Sequence, residues 1–128
     1  MAGNAKQIIY IEDEQDMIEL VRLILSRKGY EVSGANGGRE GLDLVRASSP
    51  DLVLLDLMMP DMDGWEVYHQ LKADDATRTT PVIVITAKAQ NIDKVLGIHI
   101  AKVDDYICKP FSPQQLIDSV ESVLNRAP

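Results

Sequence analysis

The chain has 128 residues, enough for one compact domain that buries a core without metal or disulfide staples. Its apolar share of 45% and charged share of 26% are ordinary for a soluble globular protein. A formal charge of −7 argues against wide contact with nucleic acid, yet permits divalent cations and basic partner surfaces.

No apolar run approaches the roughly 20 residues that span a bilayer. The opening Met1-Ala2-Gly3-Asn4-Ala5-Lys6 lacks the long apolar stretch of a signal peptide. Cys108 is the sole cysteine, so no internal disulfide can form and a reducing compartment is expected. The expectation is a cytoplasmic protein.

In chain order, Ile8-Ile9-Tyr10-Ile11 is the first short apolar run. Continuous apolarity of this kind marks a strand covered on both faces, as in a parallel sheet. Met17, Leu20, Val21 and Ile24 then keep the spacing of one helix face, and Gly29 stands where a left-handed C-terminal residue is wanted. Glu31-Val32-Ser33-Gly34-Ala35 is a weaker run that fits an edge strand. Leu42 and Val45 mark a second, shorter helix. Leu52-Val53-Leu54-Leu55 is the third strand, followed by a helix that begins near Gly64 and carries Val67 and Leu71.

Val82-Ile83-Val84-Ile85 is the fourth strand, and Ile92, Val95 and Leu96 mark a fourth helix. Tyr106-Ile107-Cys108 is the fifth strand. Leu116, Val120 and Val123 mark a fifth helix, with Ser112 as its cap and Pro113 in its first turn. Strict alternation of strand and helix with short connections implies a parallel sheet with helices on both faces.

The polar residues fall at the carboxyl ends of the strands, where open α/β sheets bind their ligands. Glu12 and Asp13 follow strand one, Asp56 ends strand three, Thr86 ends strand four and Lys109 ends strand five. Three carboxylates in one crevice repel each other unless a hard divalent cation or a lysine compensates. Mg²⁺ demands oxygen ligands and keeps several waters. Asp13 and Asp56 can supply oxygens directly, Glu12 directly or through water, and a carbonyl just past Asp56, such as that of Met58, can add another. A carboxylate so placed can act as the nucleophile that forms an aspartyl-phosphate. Metal and Lys109 would stabilise the transition-state charge, and Thr86 offers a hydroxyl to a phosphate oxygen. The small Ala87 leaves room for the donor.

Taken singly, most of these residues have plainer explanations. Acids favour helix N-termini, which would account for Glu12 and Asp13. Thr86 would serve as a strand-end residue and Lys109 as a surface lysine. Asp56 resists this, because an acid directly after four apolar residues of an interior strand is costly unless paired or functional. The signal lies in the set. Trp65 reads as helix packing, Asp61-Met62-Asp63 as turn-shaping residues, Cys108 as structural, and His69 and His99 as isolated residues.

The motif steps Ile11-Glu12-Asp13-Glu14, Leu55-Asp56-Leu57-Met58-Met59-Pro60-Asp61-Met62-Asp63-Gly64, Ile85-Thr86-Ala87 and Asp104-Asp105-Tyr106-Ile107-Cys108-Lys109-Pro110-Phe111 resemble the receiver domains of response regulators in two-component signalling. The resemblance runs from about Gln7 to Leu124, the core of a single domain over 1–128. It implies a flavodoxin-like (βα)5 fold with a five-stranded parallel sheet in order 2-1-3-4-5. It implies phosphorylation of Asp56 by the phosphohistidine of a histidine kinase or phosphotransfer protein. It also implies Mg²⁺ at Glu12, Asp13, Asp56 and the Met58 carbonyl, phosphate contacts from Thr86 and Lys109, and a cis peptide before Pro110.

The resemblance further implies a switch, in which Thr86 moves towards the phosphate and Tyr106 turns inward. The face of the fourth predicted helix, fifth strand and fifth predicted helix then changes. Two features depart from the usual pattern. Lys102 stands where many relatives carry Gly, and Ser119 and Glu121 stand where relatives that dimerise in winged-helix-type regulators carry basic residues. The expectation is a monomer or weak phosphorylation-dependent dimer, a partner-binding switch rather than an enzyme. A Mg²⁺-dependent phosphohydrolase is the main competitor. Against it stand the lack of a cap domain or long substrate loops and the Met58 where such enzymes carry a second Asp. A receiver-like module that works without phosphorylation is the third possibility.

Overall fold

Five short strands lie parallel in the order β2-β1-β3-β4-β5 in a computed structural model that describes residues 5–87 and 103–126. They are β1 (Gln7–Ile11), β2 (Glu31–Ala35), β3 (Leu52–Asp56), β4 (Val82–Thr86) and β5 (Asp105–Cys108). Every residue of β3 and β4 is buried, as their unbroken apolar runs require. Fully burying such a side chain contributes about 1.5–3 kcal/mol. The weakest run, β2, takes the edge next to β1, with exposed positions at Glu31 and Ser33.

The helices are α1 (Gln15–Ser26), α2 (Gly38–Ser48), α3 (Gly64–Ala73) and α4 (Pro113–Leu124), the last being the fifth expected from the sequence. One face of the sheet packs Tyr10, Leu54 and Ile85 against Ile18, Val21 and Leu25 of α1 and Leu116 and Val120 of α4. The other packs Ile11, Val53, Leu55 and Val84 against Leu42 and Val45 of α2 and Val67 and Leu71 of α3. Both clusters exist because strand side chains alternate between faces. The fourth predicted helix at Ile92, Val95 and Leu96, together with Lys88, His99 and Lys102, lies outside the described residues.

Local chemistry fixes the element ends. Ser112 and Gln115 form a reciprocal capping box at the start of α4, with Pro113 at its first position. Gly29 takes φ +88° in the turn after α1, a conformation open to glycine at little cost. Asp63 caps α3 by accepting from the Trp65 N–H at 2.9 Å. Gly64 has a different constraint. A Cβ there would sit 2.4 Å from Leu57 Cα and 2.7 Å from the Asp56 carbonyl oxygen. Only glycine lets α3 begin this close to the end of β3. The Lys109–Pro110 peptide is cis. Among the described residues, no helix is long and apolar enough to cross a membrane.

Candidate functional site

The sheet order brings the polar strand ends together. The chain leaves β1 for the edge strand β2 and returns to β3, so the strand order reverses between β1 and β3, where a crevice opens. Ile11 pairs with Leu55, which sets Glu12 beside Asp56. Thr86 pairs with Cys108, and the Lys109 N–H donates to the Thr86 carbonyl at 2.7 Å. The side chains of Glu12, Asp13 and Asp56 can each place one oxygen within 4.8 Å of the others. With Met58, Ala87 and Lys109, they line a cleft of about 230 Å³.

Glu12 is the most confined member, at 0% exposure. Its Oε1 accepts from the Lys109 ammonium at 2.7 Å and from the Tyr10 hydroxyl at 2.8 Å. Its Oε2 accepts from the Glu14 N–H at 3.1 Å. Asp56 is 3% exposed, and its two oxygens differ. Oδ1 accepts from the Met58 N–H at 3.0 Å, while Oδ2 lies 3.7 Å from Lys109 Nζ. Asp13 stands at the more open side of the cluster.

Two unit charges this close repel by on the order of 3 kcal/mol at an effective dielectric of about 20. The titrations carry that strain. Burial pushes the Asp56 carboxyl up to about 7; the Glu12 charge adds to the rise, while the Met58 N–H and Lys109 oppose it. Burial would raise Glu12 too, but hydrogen bonds from Lys109, Tyr10 and the Glu14 N–H outweigh it and hold that carboxyl below its ordinary value. Burial likewise works against the Lys109 charge, yet Glu12 and Asp56 hold the ammonium above the usual lysine range. One lysine therefore secures one carboxylate and leaves Asp56 undercompensated at neutral pH.

A divalent cation fits what is missing. The donors are carboxylate oxygens at a cleft, the set that hard oxygen-seeking ions prefer. Thr86 adds a second unfilled demand. Its side chain is fully buried, and its Oγ1 has no hydrogen-bond partner among the described residues. Such an orphan costs about 1–3 kcal/mol until an acceptor or donor reaches it.

Residues 8–121 match the model of the response regulator receiver domain family. This chain belongs to that family. The receiver is 38% identical over 122 residues to the Bacillus subtilis protein named alkaline phosphatase synthesis transcriptional regulatory protein PhoP, covering 95% of this chain and 50% of that protein. It thus spans half the length of that curated relative. It is also 38% identical to the N-terminal domain of a response regulator receiver protein from Methanoculleus marisnigri, with a TM-score of 0.76 over 95% of this chain and 98% of that one. A signal receiver domain of a histidine kinase from Syntrophus aciditrophicus is 31% identical, with a TM-score of 0.85 over 97% and 96%. Such receivers hold a divalent metal at an acidic pocket, and Glu12, Asp13 and Asp56 form one here.

Of the residues singled out in the sequence, Glu12, Asp13, Asp56, Met58 and Lys109 meet at the receiver's cleft. Thr86 is buried at the end of the neighbouring strand. Tyr106 is half-buried on β5, packs against the α2–α3 side of the core, and accepts from the Cys108 thiol at 3.7 Å. His69 is exposed on α3, where its ring meets that of Tyr68 edge-on at 5.8 Å between centroids. Two contributors were not anticipated. Tyr10 reaches Glu12, and the signal for it was its place on β1 two residues before Glu12, which directly follows that strand. Asp61 accepts from the Gly38 and Arg39 N–H groups at 3.0 and 3.3 Å, tying the loop after β3 to the start of α2. Only the three-dimensional approach of the two segments reveals that tie.

Proposed function

We propose that this receiver is a phosphoacceptor switch in which Asp56 takes a phosphoryl group from the phosphohistidine of a histidine kinase or phosphotransfer protein. The observation that carries this reading is Asp56 itself. It is a buried carboxylate with one oxygen anchored by the Met58 N–H and the other facing Lys109, at the mouth of an acidic cleft. In the forward step an Asp56 oxygen bonds to phosphorus while the phosphorus–nitrogen bond breaks and its electron pair stays on the donor imidazole. Water attack on phosphorus later returns the carboxylate and releases phosphate.

Mg²⁺ is the proposed ion, held by Glu12, Asp13, Asp56 and the Met58 carbonyl, and it would supply positive charge to the phosphoryl oxygens. Lys109 neutralises a phosphoryl oxygen by leaving Glu12 for it. Thr86 donates its buried hydroxyl to another, and Ala87 leaves room for the donor. The proposed readout is that Thr86 moves, Tyr106 turns inward, and the face of the fourth predicted helix, β5 and α4 changes. Tyr106 lines a groove of about 470 Å³ between β5 and α4, which gives such a change a surface to act on. Shifting such an equilibrium from 1:99 to 99:1 takes roughly 5.5 kcal/mol.

In this proposal the protein is cytoplasmic, makes no direct contact with nucleic acid, and is a monomer or weak phosphorylation-dependent dimer. It catalyses only its own phosphorylation and dephosphorylation. The test is intact mass after acetyl phosphate treatment, with and without Mg²⁺, for the parent and Asp56→Asn. One labile phosphate in the parent alone, dependent on Mg²⁺, supports the reading. An equal gain in both proteins refutes it, and catalytic turnover of small phosphoesters favours the hydrolase instead.

A further inference from the structure

We propose that Tyr10 is a positioning residue that holds Glu12 in place for the metal when Lys109 moves to the phosphoryl group. The inference rests on the function proposed above. It starts from one oxygen, Glu12 Oε1, which accepts from both Lys109 Nζ at 2.7 Å and the Tyr10 hydroxyl at 2.8 Å. Two donors on one carboxylate oxygen are redundant while the site is at rest. They cease to be redundant when a phosphoryl group forms on Asp56, whose Oδ2 is already 3.7 Å from the same ammonium.

The two donors differ in kind. Lys109 ends β5 on a flexible four-carbon stem, its side chain 16% exposed. Tyr10 is 0% exposed, in a strand paired on both sides, by β2 and β3. Its ring sits in the cluster with Ile18, Val21 and Leu54. That ring cannot follow a ligand, so its hydroxyl marks a fixed point behind the Glu12 carboxylate. The extended run of β1 carries the Tyr10 ring to the side on which Glu12, the first residue after the strand, meets its hydroxyl.

A phenol is also neutral. It orients the Glu12 carboxylate without cancelling its charge, so the full charge stays available to a cation. Lysine cannot do both at once. Partners that orient ligating carboxylates from behind set metal affinity, and losing one costs roughly 10–100-fold. The plainer alternative is a core tyrosine whose hydroxyl merely finds an acceptor. The two differ in what the hydroxyl alone changes.

The test is Tyr10→Phe, which keeps the ring and removes the hydroxyl, alongside Tyr68→Phe as a second buried tyrosine outside the cleft. Calorimetric titration with Mg²⁺ should give about tenfold weaker affinity for Tyr10→Phe and parental affinity for Tyr68→Phe. Saturating Mg²⁺ should then restore acetyl phosphate labelling of Tyr10→Phe to the parental extent. Affinity within twofold of the parent, or an equal loss in both variants, overturns the proposal. So does a labelling defect that saturating Mg²⁺ does not repair. A parent that binds no Mg²⁺ at all overturns the reading of the site as well, which separates the two failures. A measurement on the parent guards against misfolding: the Tyr10 hydroxyl proton should stay protected from exchange through Mg²⁺ binding and phosphorylation. Rapid exchange in the phosphorylated protein overturns the proposal.

Discussion

Lys109→Met isolates the electrostatic logic of the cleft, because it keeps an unbranched apolar stem and deletes the charge. Glu12 would then be fully buried with two other carboxylates within 4.8 Å and no ammonium on its Oε1. Breaking a buried ion pair this way costs about 3–5 kcal/mol. Protonation sets a ceiling on the penalty of the stranded charge. At pH 7, neutralising a carboxyl whose ordinary pKa is about 4.3 takes about 3.7 kcal/mol, at about 1.4 kcal/mol per pH unit. We therefore expect a loss of about 3–4 kcal/mol at pH 7 without metal. With an unfolding entropy of about 2.1 cal/mol/K per residue, that is roughly 11–15 °C in Tm for 128 residues. At pH 5 the same ceiling falls to about 1 kcal/mol. Urea unfolding with a chelator at both pH values measures the two losses and thermal melts the shift in Tm; the urea series is repeated with saturating Mg²⁺ at pH 7. A loss of equal size at pH 5 and pH 7, untouched by Mg²⁺, would mean that the lysine stem matters through packing and that the charge argument is wrong.

Three further outcomes follow from other parts of the structure. Because burial raises Asp56 to about 7, the folded state binds more protons than the unfolded chain between about pH 4 and pH 7. Metal-free stability should therefore rise as pH falls from about 8 towards 5. Glu12, whose carboxyl is held low, contributes the opposite slope only below its ordinary range. Saturating Mg²⁺ or Asp56→Asn should flatten the rise, and an unchanged slope in both would contradict the assignment. Gly64→Ala should destabilise by about 1–3 kcal/mol or more, since its Cβ meets backbone rather than a side chain that can yield; denaturant melts decide this. Ser112→Ala should remove the α4 cap at about 1 kcal/mol and leave Mg²⁺ affinity unchanged, as unfolding and calorimetry together would show.

Most of the frame was legible because the physics was local. Unbroken runs such as Leu52-Val53-Leu54-Leu55 read as strands covered on both faces, and the weak Glu31–Ala35 run fits an edge. Asp56 was legible as an acid that an interior strand would not otherwise tolerate. Resemblance supplied the strand order, and pairing then placed Glu12 beside Asp56. The partners within the cleft were less legible. Nothing in the spacing shows that Lys109 sits closer to Glu12 than to Asp56, because that depends on where a flexible stem settles. Tyr10 looked like one more apolar strand residue, and its hydroxyl matters only because Glu12 turns back under the sheet end. Asp61 looked like a turn residue, and its link to α2 depends on two loops meeting. Thr86 was legible as a strand-end hydroxyl, but not as one without a partner among the described residues.

The most direct test of the account is to trap the phosphorylated protein and locate the modified side chain. Borohydride reduction of an acyl phosphate converts aspartate to homoserine, which peptide mass mapping assigns to one position. After acetyl phosphate and Mg²⁺, homoserine should appear at residue 56 and nowhere else. Homoserine at residue 13, or modification of a hydroxyl or histidine side chain with residue 56 intact, would contradict it.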